Sequence, residues 1–119
     1  MPSAVREESF SSVKVFWLDK EYVLRQLRER VARLASDPNV LRVVLFGSFA
    51  EGRAVPGSDV DILVVVRQDS RRMMDRIADY QEIFSGMGIG TDVFPYTESE
   101  LENPLAKNAL ATGKILFER

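Results

Sequence analysis

Asp59 and Asp61 stand two residues apart at the head of an apolar run, Ile62-Leu63-Val64-Val65-Val66. In an extended strand, residues i and i+2 project from the same face. Their Cβ atoms then lie roughly 6–7 Å apart, from about 3.4 Å of rise per residue. Two carboxylates at that spacing can share one hard cation or hold two between them. Mg²⁺ suits such a site, because it prefers oxygen ligands and is usually held by one or two carboxylates plus substrate phosphates. Asp92, at the start of a predicted strand through Thr91-Asp92-Val93-Phe94, is the best candidate for a third carboxylate. Two-metal phosphoryl chemistry sets its ions roughly 3.5–4 Å apart, stabilising the attacking and leaving oxygens together. The chain has no histidine, so Asp92 is also the best available base for an attacking hydroxyl.

Gly47-Ser48 supplies the other half, ten residues before the acidic pair and directly after the run Val43-Val44-Leu45-Phe46. A glycine there lets the backbone approach a ligand closely. The N–H groups of the following turn then point at phosphate oxygens, and Ser48 can add a hydroxyl donor. Neither half is specific alone. An isolated Asp-x-Asp at a strand edge is also the pattern of a solvated turn, and Gly-Ser is commoner still. Placement between two buried strands sets this combination apart.

The rest of the composition narrows the chemistry by exclusion. With no cysteine and no histidine among 119 residues, thiol catalysis, disulfides, iron–sulfur clusters and Ser-His arrangements are ruled out. A net charge of −2 argues against sequence-independent nucleic-acid binding. No apolar run reaches the roughly 20 residues of a membrane helix, and the start of the chain lacks a signal peptide's apolar stretch. The expectation is a cytoplasmic protein.

The elements that must position these residues follow from pattern. Residues 1–12 read as a loose leader, and residues 13–119 as a single domain. Val13–Trp17 can form a short strand. Asp19 caps a helix over 20–35 whose stripe is Val23, Leu24, Leu27, Val31 and Leu34, the spacing of one helix face; Pro38 stops it. Strands are expected over 40–46 and 59–66. Asp69 or Ser70 is expected to cap a helix with the stripe Met73, Ile77, Tyr80 and Phe84, closed near Gly86. Asn103-Pro104 opens a helix over 104–112, Gly113 ends it, and Lys114–Phe117 forms a last strand. Strands alternating with helices give an α/β class, or α+β with a mixed sheet.

The stretch Phe46-Gly47-Ser48-Phe49-Ala50-Glu51-Gly52-Arg53-Ala54, continued by Gly57-Ser58-Asp59-Val60-Asp61-Ile62-Leu63-Val64, closely resembles the minimal nucleotidyltransferase (MNT) group of the DNA polymerase β superfamily. Thr91-Asp92-Val93-Phe94 is similar to that family's third-acid strand, and residues 103–117 to its usual ending. The resemblance covers about residues 13–118. It implies a mixed β-sheet flanked by helices, two Mg²⁺ ions on Asp59, Asp61 and Asp92, and ATP as substrate. Gly47, Ser48, Arg53 and Ser58 are then the triphosphate-binding positions. It further implies a helical HEPN toxin as partner, neutralised when the MNT protein adenylylates a tyrosine on it. One departure concerns Glu51, where many relatives carry a basic residue; here the basic residue is Arg53.

Two other functions stay open at this level: a nucleotidyltransferase-like antitoxin that masks its partner without chemistry, and transfer to a small molecule. The second generally needs a further domain for its acceptor. Homo-oligomerisation is also left open. Arg71, Arg72 and Arg76 read as a solvated helix face, and Met73 and Met74 as packing residues. Phe16 and Trp17 are expected to pack on the sheet or on another subunit.

Overall fold

The computed structural model describes residues 3–119. Two strands, β1 (Val5–Phe10) and β2 (Val13–Leu18), precede helix α1 (Lys20–Ala35). Then come β3 (Val40–Phe46), a single helical turn α2 (Gly47–Ala50), β4 (Val60–Val66), α3 (Met73–Ile83), β5 (Thr91–Thr97), α4 (Pro104–Thr112) and β6 (Lys114–Glu118). Strands β3 to β6 form one mixed sheet in the order β5-β4-β3-β6, with β4 and β3 inside it. Within it β3 runs antiparallel to both β4 and β6, while β4 and β5 are parallel. This is the expected mixed sheet flanked by helices.

Period-two alternation along β3 and β4 sorts side chains into two cores. Val43, Leu45, Ile62 and Val64 meet α1 and the α3 side through Val23, Leu27, Leu34, Tyr80 and Phe84. On the other face, Val44, Phe46, Leu63 and Val65 pack with Ala106 and Ala109 of α4. Because both faces are covered, these strands read as continuous apolar runs. The small alanines let α4 lie close to the sheet. Gly113 tightens that approach, since a Cβ there would meet the Ala109 carbonyl at 2.5 Å and Val44 at 2.5 Å.

Helix ends are set where short polar side chains satisfy free N–H groups. Asp19 Oδ1 accepts the Tyr22 N–H at 3.0 Å, and Asn103 Oδ1 accepts that of Leu105 at 2.9 Å, with Pro104 in the first turn. Helix α3 departs from expectation. It starts at Met73 with no side-chain cap, because Asp69 accepts the Arg71 N–H at 3.0 Å and closes its own turn instead.

The supposed loose leader is also different. Residues 5–10 pair in register with β2, from Val5 opposite Leu18 to Phe10 opposite Val13; Met1 and Pro2 lie outside the described residues. The hairpin is rooted by Ala4, fully buried, whose N–H donates to the Gly88 carbonyl at 2.9 Å. Beyond that root it stands away from the sheet. Phe16 and Trp17, expected to be packing residues, are 55% and 42% exposed. Arg6-Glu7-Glu8-Ser9 lacks the apolar alternation of a core strand, and cross-strand pairing supplies the order instead.

Arg76 corrects the reading of a solvated arginine face. It is buried, and its guanidinium donates to the Arg71 carbonyl at 3.0 Å, the Asp69 carbonyl at 2.7 Å and Glu100 Oε1 at 2.6 Å. Arg71 and Arg72 are exposed, and so is Met74.

Candidate active site

Antiparallel β3–β4 and parallel β4–β5 pairing bring three chain ends together: the end of β3 and the starts of β4 and β5. Asp61 lies opposite Phe46 on one side and Asp92 on the other. Opposed residues in neighbouring strands share a face, and their backbones are about 4.8 Å apart. Val60 and Ile62 go into the α1 core and Leu63 into the α4 core, so Asp61 and Asp92 belong to the α4 face at its open end. Asp59, two residues before Asp61, completes the trio.

Their environments differ. Asp59 and Asp92 are exposed, whereas Asp61 is half-buried. Phe46 and Phe94, with ring centroids 5.6 Å apart, wall the apolar side of this end. Burial pushes the Asp61 carboxyl above the usual carboxylate range, and the nearby charges of Asp92 and then Asp59 push the same way. A bound cation would reverse that penalty.

Two glycines clear room for the acids. Gly47, at φ +77°, begins α2, and a Cβ on it would overlap Asp61 Oδ2. A left-handed φ and a carboxylate pressed to the Cα together require glycine. Gly90 does the same for Asp59, whose Oδ1 occupies the place of a Cβ there. Gly90 went unnoticed in the sequence reading. Its one signal is position, two residues before Asp92 at the mouth of β5.

The remaining expected phosphate positions lie nearby in the α2 turn and the loop to β4. Ser48 is half-buried in the first turn of α2, and its carbonyl accepts the Arg53 N–H at 2.9 Å. Arg53 is exposed and paired with Glu51 at 2.9 Å, so that pair must open before Arg53 can reach a phosphate. Ser58 is committed to its own loop: its hydroxyl accepts the Val55 N–H at 3.0 Å, and its N–H donates to the Val55 carbonyl at 2.9 Å.

Whether these residues suit Mg²⁺ can be judged from the donor set. Among the described residues no three Asp, Glu, His or Cys side chains form a ready cage for an ion. Mg²⁺ does not need one, since substrate phosphates and water complete its octahedron. All three donors are hard oxygens, two are solvent-accessible, and Asp61 is held against other carboxylates. The residues fit the ion.

A cavity of about 830 Å³ lies elsewhere. It is lined by Arg67 just after β4 and Thr97 at the end of β5, six residues along β4 from Asp61 and five along β5 from Asp92, roughly 17–20 Å. Arg76, Asp69 and Glu100 cross-link its wall. The acid end is an open shelf, with Asp59 and Asp92 exposed to solvent.

Residues 24–115 match the family described as nucleotidyltransferase domain. A candidate protein adenylyltransferase of Methanocaldococcus jannaschii is 32% identical over 89 residues, 68% of this chain and 60% of that protein. The chain thus matches about three-fifths of that relative's length. The crystal structure of a candidate nucleotidyltransferase from Sulfolobus solfataricus is similar at a TM-score of 0.65 and 26% identity, covering 84% of each chain. A mutant MntA toxin–antitoxin complex contains a similar chain at a TM-score of 0.53 and 20% identity, over 86% of this chain and 75% of that one; this likeness speaks to the fold. The β1–β2 hairpin lies outside the residues that match the family.

Proposed function

We propose that this chain, which belongs to the nucleotidyltransferase domain family, moves AMP from ATP to a hydroxyl of a partner protein. The observation that carries this reading is the opposition of Asp61 and Asp92 at one sheet end, beside Asp59 and against Gly47. In the transfer, the acceptor oxygen bonds to the α-phosphorus and the bond to the bridging oxygen breaks, releasing pyrophosphate. Asp92, the exposed member of the facing pair, takes the hydroxyl proton. Asp59, Asp61 and Asp92 are the residues that would hold Mg²⁺, two ions in the full reading. Bound there, the metal supplies charge neutralisation at the triphosphate. Gly47 and Ser48 bring backbone and hydroxyl donors to the phosphates, with Arg53 and Ser58 at the edge of the same site.

The acceptor is a tyrosine on a HEPN-type helical toxin, so the protein works as its antitoxin. Support comes from the protein adenylyltransferase named as a relative and from the open acid shelf, which leaves the acceptor to be supplied by a partner. The test is co-expression with the product of the neighbouring reading frame, then intact mass after ATP and Mg²⁺. A gain of one or more AMP units on the partner is expected, lost with Asp59→Asn. Absence of transfer with any nucleotide overturns the enzyme reading. If Asp59→Asn still rescues growth from the toxin, neutralisation is by binding alone.

A further inference from the structure

We propose that Gly90 is a positioning residue for Asp59, holding its carboxylate in place by the absence of a side chain. The inference rests on the reading of Asp59 as a metal ligand, and it adds a residue that acts only through another.

Three observations carry it. First, the parallel register sets Val60 opposite Thr91 and Asp61 opposite Asp92, so one step back Gly90 stands opposite Asp59. At the Asp61 level the neighbouring strand offers a carboxylate; at the Asp59 level it offers empty space. Second, the Val60 N–H donates to the Gly90 carbonyl at 2.9 Å. That bond fixes the Gly90 backbone against the start of β4, so the glycine cannot drift away from Asp59. Third, the three heavy atoms nearest to a Cβ on Gly90 all belong to Asp59: Oδ1 would overlap it, Cγ would lie at 3.1 Å and Oδ2 at 3.9 Å.

The identity of those neighbours separates Gly90 from the other tight glycines. At Gly113 a side chain would strike backbone and a core valine, and at Gly47 a left-handed φ adds strain. Gly90 has neither obstacle. Its φ lies outside the left-handed region, so alanine can adopt the backbone. The group in its way is the mobile end of an exposed side chain, which can rotate aside at little cost to folding. Alanine at this position is therefore accommodated by the fold and paid for at the site.

The test is a double-mutant cycle on Mn²⁺ binding. Wild type, Gly90→Ala, Asp59→Ala and the double variant are titrated with Mn²⁺ in the presence of a non-hydrolysable ATP analogue, with free Mn²⁺ followed by electron paramagnetic resonance. Gly90→Ala should weaken Mn²⁺ binding about 10-fold, the lower end of what disturbed ligand orientation costs. The double variant should bind no more weakly than Asp59→Ala alone. Metal-free melting of Gly90→Ala should stay within about 2 °C of wild type, well below the shift of roughly 4–8 °C that 1 kcal/mol produces in a small domain. Wild-type affinity in Gly90→Ala, additive losses in the double variant, or a large drop in melting temperature each overturn the proposal. If Asp59→Ala itself binds Mn²⁺ like wild type, the metal-ligand reading fails first, and the proposal falls with it.

Discussion

Asp61 and Asp92 face each other across the parallel β4–β5 pair, two carboxylates at the same level of the same sheet face. Such a pair lowers the stability of the metal-free protein. Asp61 is the more buried partner, and burial followed by the charges of Asp92 and Asp59 raises its carboxyl above the ordinary value. For an acid raised in the fold, the native state favours the neutral form. The penalty appears as pH rises through the unfolded carboxylate value of about 3.9 and persists above it. Asp61→Asn imitates the neutral form. It should raise the metal-free melting temperature at pH 7, leave it little changed at pH 3, and lower AMP transfer by about 100-fold or more. A lower melting temperature at pH 7 would contradict the crowding described.

Gly47 and Gly52 form a matched pair for testing shape at the same site, with φ of +77° and +76°. A Cβ on Gly52 meets nothing within 4 Å, whereas one on Gly47 overlaps Asp61. Alanine at either position should cost about 1–2 kcal/mol of backbone strain. Only Gly47→Ala should also displace the carboxylate and lose AMP transfer. Equal activity in the two variants would show that the Gly47–Asp61 contact is immaterial.

Arg76 ties the far end of the fold together through the Arg71 and Asp69 carbonyls and the Glu100 carboxylate. Removing it leaves the carbonyls of two part-buried hydrogen bonds, and a part-buried carboxylate, without their donor. Arg76→Ala should cost about 2–3 kcal/mol in urea unfolding, with activity per folded molecule retained, because the acids are at the opposite end. A neutral effect on stability would mean that water replaces the arginine.

Acid should weaken that same end. Asp69 is held below its ordinary value, first by the Arg71 side-chain bond and then by the Arg71 N–H, against the opposing effect of burial. At Glu100 burial alone would raise the carboxyl, but the Thr97 N–H, Arg76 and the Thr97 hydroxyl outweigh it and bring it down. Stability from lowered acids is present above the unfolded carboxylate values, about 3.9 and 4.3, and is lost as pH falls through the lower folded ones. Melting followed from pH 6 to pH 2 should therefore decline below about pH 4, and less steeply in a Glu100→Gln variant. An unchanged slope in that variant would remove Glu100 from the account.

The hairpin gives the last expectation. A two-stranded ribbon is marginal in water by itself, and Phe10, Val13 and Phe16 are each more than half exposed. Its amides should exchange with deuterium far faster than those of β3 and β4, which lie inside two cores. Protection in β1 equal to that of Val44 or Leu63 would require a cover supplied by another molecule.

Most elements were legible because their signals are local. Asp19 before a 3.6-residue stripe, Asn103-Pro104 before another, and Gly113 after it were each read within a few residues of where α1 and α4 begin and end. Two other elements escaped for the same reason. The β1 strand has no apolar alternation to announce it, and Asp69 looks like a helix cap until Arg71 takes its carboxylate.

By itself the sequence determined the chemical types available, carboxylates and hydroxyls without histidine or thiol, and the two-residue spacing that puts Asp59 and Asp61 on one side of a strand. It also held the glycine at the end of β3. What only the tertiary structure decided was which residues stand opposite those acids. Short connections do not specify strand direction, so the parallel pairing that sets Asp92 against Asp61 and Gly90 against Asp59 is a property of the assembled sheet. Exposure was decided at the same level. The same carboxylate chemistry is half-buried at Asp61 and open to solvent at Asp59 and Asp92, because walls such as Phe46 and Phe94 come from different strands and meet only on folding.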